Sequence, residues 1–183
     1  MVLKSKEEIS KEKKKLFDGI TQEISFADEK GRFGRLERRR VVLDLKYFPY
    51  RFMKESEKLM GRASTTLMYL VGKRCGKDIY DGYVEMGHDK DGALKLSTAG
   101  MWYFGWGLVD IDIETGEAVI YDSFEADSFT INKKRANTPT CHFFRGVISG
   151  IWAAYSGQEC YGDETMCKAK GDKYCKIVVR ATG

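Results

Sequence analysis

Four of the five cysteines, Cys141, Cys160, Cys167 and Cys175, fall within one stretch near the end of a chain of 183 residues. Clustered thiols constrain a fold strongly, because thiols that meet in space tie together the segments that carry them. An odd number makes no complete disulfide set, and in a reducing compartment such thiols read as metal ligands or reactive groups. Cys167 and Cys175 flank the loop of an expected hairpin, with strands near 158–165 and 174–181, and Glu164 stands at the end of the incoming strand. Cys141 lies in the first turn of the preceding expected helix, where the partial positive charge of the N-terminus favours a thiolate. Three thiolates and one carboxylate give zinc a closed tetrahedral shell, with sulfur at about 2.3 Å, and such a site is structural. Free buried thiols and redox chemistry are the competing readings, since no tight C-x2-C pair is present. Cys160 competes with Glu164 for the fourth place, because the two share strand parity and face one side. Cys75 stands alone and is expected to be a buried thiol.

The remaining pattern is that of an α+β domain with a mostly antiparallel sheet. A Lys- and Glu-rich helix is expected over 4–17, with a narrow apolar side that lies either on its own domain or against a second subunit. A turn at 31–34 and a strand over 38–45 follow, and the cationic run 35–40 reads as a solvated strand face or as a contact for an acidic partner. Helices are expected over 49–59 and 62–75, the second continuing through 79–86, and another from Asp89 to Tyr103. Alternation over 107–114 and 117–124 around Thr115-Gly116 predicts a hairpin. Residues 127–138 read as a polar connection. Pro139 suits the first turn of a helix capped by Thr138 that runs to Ser156 and stops at Gly157. In that helix Gly146 and Gly150 permit close approach of a neighbour. Neither a repeat nor a low-complexity linker divides the chain, so residues 1–17 are expected to form an arm and 18–183 a single domain.

Composition narrows the function classes. Lys plus Arg number 31 against 27 Asp plus Glu. The signs are interspersed, which disfavours a dedicated nucleic-acid binder. No apolar run is long enough to span a membrane and the start carries no signal-peptide core, so a cytoplasmic protein is expected. Asn and Gln are scarce beside 32% charged residues, a bias shared with thermophile proteins.

The segments Thr138-Pro-Thr-Cys141, Gly146-Val-Ile-Ser-Gly150 and Glu164-Thr-Met-Cys167, the last continuing through Gly171 to Cys175, together resemble the vinyl-4-reductase domain. This domain also forms the sensor region of phenol-responsive bacterial transcription activators. The spacing C-x22-E-x2-C-x7-C is similar to the zinc site of those sensors, and Ser123-Phe-Glu-Ala126 resembles their sequence as well. The resemblance implies a zinc-ligand role for Cys141, Glu164, Cys167 and Cys175, with Cys160 outside the shell. It further implies an α+β ligand-binding fold similar to that of vesicle-tethering complex small subunits, commonly a homodimer, holding a hydrocarbon or other apolar or aromatic molecule. Those sensors grip the phenol hydroxyl with a His and a Trp. The stretch before Ser123, Val119-Ile-Tyr-Asp122, has no Trp, which argues against phenol itself.

Aromatic residues supply the candidate ligand site. Trp102 and Trp106 sit at a helix-to-strand junction, and Tyr121, Phe144, Trp152 and Tyr155 are expected to face the same interior, either as a plain aromatic core or as the lining of a pocket. For catalysis the residues offer little. His88 and His142 have no visible nucleophile partner, and no nicotinamide or flavin fingerprint is present. The reading is a stand-alone, zinc-stabilised sensor module for a small apolar or aromatic ligand. The alternative is an enzyme or accessory protein in the reduction of a tetrapyrrole vinyl group.

Overall fold

The computed structural model describes residues 4–17 and 43–182. Six helices, α1 (Lys6–Phe17), α2 (Tyr50–Met60), α3 (Ala63–Glu85), α4 (Lys90–Tyr103), α5 (Phe124–Ile131) and α6 (His142–Ser156), accompany four strands. The strands β1 (Leu108–Asp112), β2 (Glu117–Tyr121), β3 (Cys160–Met166) and β4 (Cys175–Ala181) form one antiparallel sheet in the order β1-β2-β4-β3. The α+β class expected from the sequence is therefore found.

Both hairpins follow from local chemistry. Asp112 Oδ1 accepts the backbone N–H groups of Glu114 and Thr115 and closes the β1–β2 turn. Along β3 burial alternates strictly from Cys160 to Thr165, so Cys160, Gly162 and Glu164 face inward, and Cys175, Ile177 and Val179 do the same on β4. A bulge between Glu164 and Met166 shifts the register at the end of β3.

Helix α6 packs on β3 and β4, α4 lies on β1, and α3 runs along α6. The α3–α6 contact is set by glycine. A Cβ at Gly72 or Gly76 would strike the carbonyls of Phe143 or Val147, and one at Gly146 or Gly150 the carbonyls of Tyr69 or Lys73. Two glycines one turn apart on each helix thus let the backbones touch. Phe144, Val147, Ile148 and Ile151 of α6 then fill the core with Val109, Ala118, Ile120 and Ile177 of the sheet.

Several expectations need correction. The segment 127–138 is not wholly a connection, because α5 occupies Phe124–Ile131. Helix α6 begins at His142 with Cys141 at its cap position, so Thr138 and Pro139 lie outside it. Helix α1 rests on its own α4 and β1, where Ile9 is buried. The expected turn at 31–34 and run 35–40 lie outside the described residues, as does most of the strand expected over 38–45, whose described end, Leu43 and Asp44, leads into a turn. Cys75 is half-buried rather than buried. Among the described residues no helix is long and apolar enough to cross a membrane.

Candidate metal centre and cavity

The donor atoms of Cys141, Glu164, Cys167 and Cys175 lie within 4.8 Å of one another, and all four residues are buried. Three segments deliver them. Cys141 precedes α6, Glu164 faces inward at the end of β3, Cys167 follows that strand in an extended conformation, and Cys175 opens β4. The loop between the last two is a single 3-10 turn, Lys168–Lys170, ended by Gly171 at φ 103°, a left-handed conformation that glycine adopts without strain. Asp172 clamps the loop, since its Oδ2 accepts the Cys167 N–H at 2.7 Å.

Around the thiols each neighbour has a defined role. The Lys168 N–H donates to Cys175 Sγ at 3.3 Å, Ser123 Oγ lies 3.2 Å from Cys141 Sγ, and Cys141 Sγ lies 3.6 Å from Cys175 Sγ. Glu164 Oε2 accepts the Cys141 N–H at 2.9 Å. Its other oxygen, Oε1, is buried without a hydrogen-bond partner. Such an orphan is costly unless a cation or donor meets it, so the set fits a metal ion. Burial pushes the Cys141 thiol well up and holds the Glu164 carboxyl at about 8. A bound divalent ion reverses both tendencies, because it stabilises thiolate and carboxylate directly.

Cys160 shares the inward side of β3 but stands four residues from Glu164, roughly 13 Å along a strand. Its Sγ donates instead to Gln158 O at 3.3 Å. His142 turns away from the thiols and lines a cleft with Tyr50 and Glu57, where burial lowers its pKa to about 4.

Sequence reasoning missed Glu125. Completely buried on α5, it accepts the Phe143 N–H at 3.1 Å and the Phe144 N–H at 2.7 Å. With Glu164 on Cys141, two buried carboxylates therefore satisfy the free amides at the start of α6. Burial raises Glu125 to about 8. Its only signal in the sequence is an acidic residue between Phe124 and Ala126, next to a run expected to be strand.

The six aromatic candidates do not form one group. Trp106 meets Phe144 with ring centroids 6.5 Å apart, and Phe143 and Phe124 at 5.7 and 6.0 Å. Trp152 pairs with Tyr155, which reaches Asp91 through its hydroxyl at 3.0 Å. Tyr121 packs on Tyr174, and Trp102 lines a separate surface cleft beside α1. Phe144 is solid core. A cavity of about 300 Å³ opens between α3 and α4, bordered by Cys75, Ile79, Tyr83, Met101, Phe104 and Trp106. Of the candidates only Trp106 borders it. The rest of the lining could not be found from sequence, because α3 and α4 supply it from separate turns.

An antiparallel sheet whose last hairpin is fastened to a helix start by a buried cluster of three cysteines and a glutamate defines a class of α+β domain that includes bacterial sensors. Residues 118–181 match the family model of the vinyl-4-reductase domain, and the chain carries that domain. An uncharacterised protein of Methanocaldococcus jannaschii is 26% identical over 117 residues, 62% of this chain and 63% of that protein. The transcriptional regulatory protein XylR of Pseudomonas putida is 36% identical over 74 residues, 38% of this chain and 13% of that protein. The chain thus spans less than two thirds of the length of either relative. Among solved structures, the phenol-responsive sensory domain of the transcription activator PoxR, with phenol, superposes at a TM-score of 0.74 over 92% of this chain and 89% of that one, at 22% identity. A vinyl-4-reductase family protein from Methanocaldococcus jannaschii superposes at 0.56 over 100% and 99%, at 14% identity. At these identities the likeness is one of fold.

Proposed function

We propose that the protein is a sensor domain that takes a small apolar or aromatic molecule into the cavity between α3 and α4, on a frame that zinc holds together. The observation that carries this reading is the cavity itself. Its volume, about 300 Å³, lies at the lower end of small-molecule sites, which suits one or two rings, and its walls are mainly apolar. Trp106 joins the cavity to the start of α6, since its ring meets Phe143 and Phe144, two and three residues after Cys141. A ligand touching Trp106 therefore presses on the same helix end that the cluster anchors. The fold shared with a phenol-responsive sensory domain supports the ligand class.

Cys141, Glu164, Cys167 and Cys175 would hold the zinc, which supplies charge neutralisation for buried thiolates and a cross-link between α6 and the last hairpin. Reduced thiols of this kind fit a cytoplasmic setting. A homodimer completes the proposal. On α2 and α3, Leu59, Leu67, Leu70 and Val71 form an exposed apolar strip. Beside it Arg74 pairs with Asp78 and Lys77 with Asp81, so the edge bears both signs and suits a second copy better than a strongly charged partner.

Thermal unfolding of the zinc-loaded protein with phenol, toluene, naphthalene and cyclohexane tests the ligand site. At least one compound is expected to raise Tm by mass action, and Ile79→Trp, which fills the cavity, should abolish the shift while the protein stays folded. A panel without effect, or an undiminished shift in the variant, would overturn the reading.

A further inference from the structure

Helix α1 closes a second cleft, separate from the cavity at Trp106. The cleft measures about 620 Å³ and lies between α1, α4 and β1. Leu16, Leu94, Ile111 and Ile113 line it, and Lys13 and Thr98 form part of its wall. Lys13 is 7% exposed, a rare burial for a cation. Its ammonium carries three N–H donors. Among the described residues one acceptor meets them, Thr98 Oγ1 at 2.5 Å, and no carboxylate lies within ion-pair distance. Thr98 Oγ1 is itself engaged with Lys95 O at 2.9 Å.

The charges around Lys13 leave it short of a partner. On α1, Glu12 pairs with Lys4 at 3.0 Å; on β1, the carboxylate of Asp110 reaches Lys4 at 4.0 Å. Lys15 of α1 and Lys95 of α4 add positive charge to the cleft. Burial depresses Lys13 to about 8, with Asp110 and Glu12 too distant to offset the loss of water. A buried ammonium with unmet donors beside an apolar trough is a recognition element for an anion with a hydrocarbon body, since burying a charge is costly until it is paired.

We infer that this cleft binds an apolar molecule ending in a carboxylate, with the carboxylate on the Lys13 ammonium and the hydrocarbon on Leu16, Leu94, Ile111 and Ile113. The site uses none of the residues of the metal cluster or of the α3–α4 cavity. It stands or falls independently of the sensor reading.

Titration calorimetry of the full chain at pH 7 with octanoate and with 1-octanol, which share a chain length and differ in charge, tests it. Octanoate is expected to bind at least about tenfold tighter than octanol, the scale of one charge-assisted hydrogen-bonded contact. Lys13→Met keeps the apolar stem and removes the charge, and should erase that preference. Equal affinity for the two probes, or a variant that still prefers octanoate, would overturn the inference. Should Lys13→Met fail to fold, Ile113→Glu decides, because Ile113 is exposed at the cleft. That variant is expected to weaken octanoate severalfold and leave octanol unchanged, and undiminished octanoate binding would count against the site.

Discussion

Cys175 and Cys160 show how much one position along a strand decides. Both are inward-facing, buried cysteines, yet Cys175 opens β4 beside Cys141 while Cys160 begins β3 at the far end from Glu164. Cys175→Ser removes a soft donor from a closed shell and should drop bound zinc from one per chain to near zero, with a loss of several kcal/mol in folding stability. Cys160→Ser should keep the metal and cost about 1 kcal/mol, the scale of a modest change in a buried contact. Metal analysis by plasma mass spectrometry together with urea unfolding reads both quantities. Equal zinc in the two variants would mean that the cluster is not the metal site. The four donors are legible in the sequence because spacing and strand parity are local properties. Glu125 is not, since its partners Phe143 and Phe144 lie on another helix and nothing near Glu125 in the sequence points to them.

At the level of elements, the hairpins and the long helices follow from periodicity, and the departures have particular causes. Helix α5 escapes periodicity because Glu125 and Ser128 are buried while Ile131 is exposed, so its polar residues do not mark a solvent face. The start of α6 departs from expectation because Thr138-Pro139 carries strong helix-start chemistry, yet residues ahead of His142 stay outside the helix and Cys141 sits at the cap. The glycines of α6 are legible as a close approach, but their counterparts Gly72 and Gly76 on α3 gain meaning only once the two helices meet. Gly76→Leu would drive a side chain into the Val147 carbonyl on the facing backbone. No rotamer escapes a clash with main chain, so the helices must part. A destabilisation of about 3 kcal/mol or more is expected, at the upper end of overpacking costs. Gly61→Ala, where a Cβ meets nothing, should cost roughly 1 kcal/mol through its positive φ alone. Denaturant midpoints for the two variants provide the comparison, and similar losses would show that the α3–α6 contact is looser than its geometry.

For the molecule as a whole, α1 decides whether the chain is one body or a core with a lent arm. A narrow apolar face on a Lys-rich helix serves equally well on its own domain or on a partner subunit, and sequence alone leaves the two open. In the structure Ile9 is buried between α1 and its own domain, and Lys13 reaches Thr98 of α4. Removing residues 1–17 should therefore lower stability by about 2 to 3 kcal/mol, the value of re-exposing Ile9 and the surface that it covers, discounted for the cost of burying Lys13. The same truncation should leave the oligomeric state unchanged, because the strip proposed to join two copies lies on α2 and α3. Light scattering of the full and truncated chains at the same concentration, beside their urea midpoints, separates the cases. Loss of stability with an unaltered oligomeric state is the expected outcome. A dimer that falls to monomers on truncation would show that α1 reaches across to a second subunit in solution, and the cleft at Lys13 would then be built from two chains.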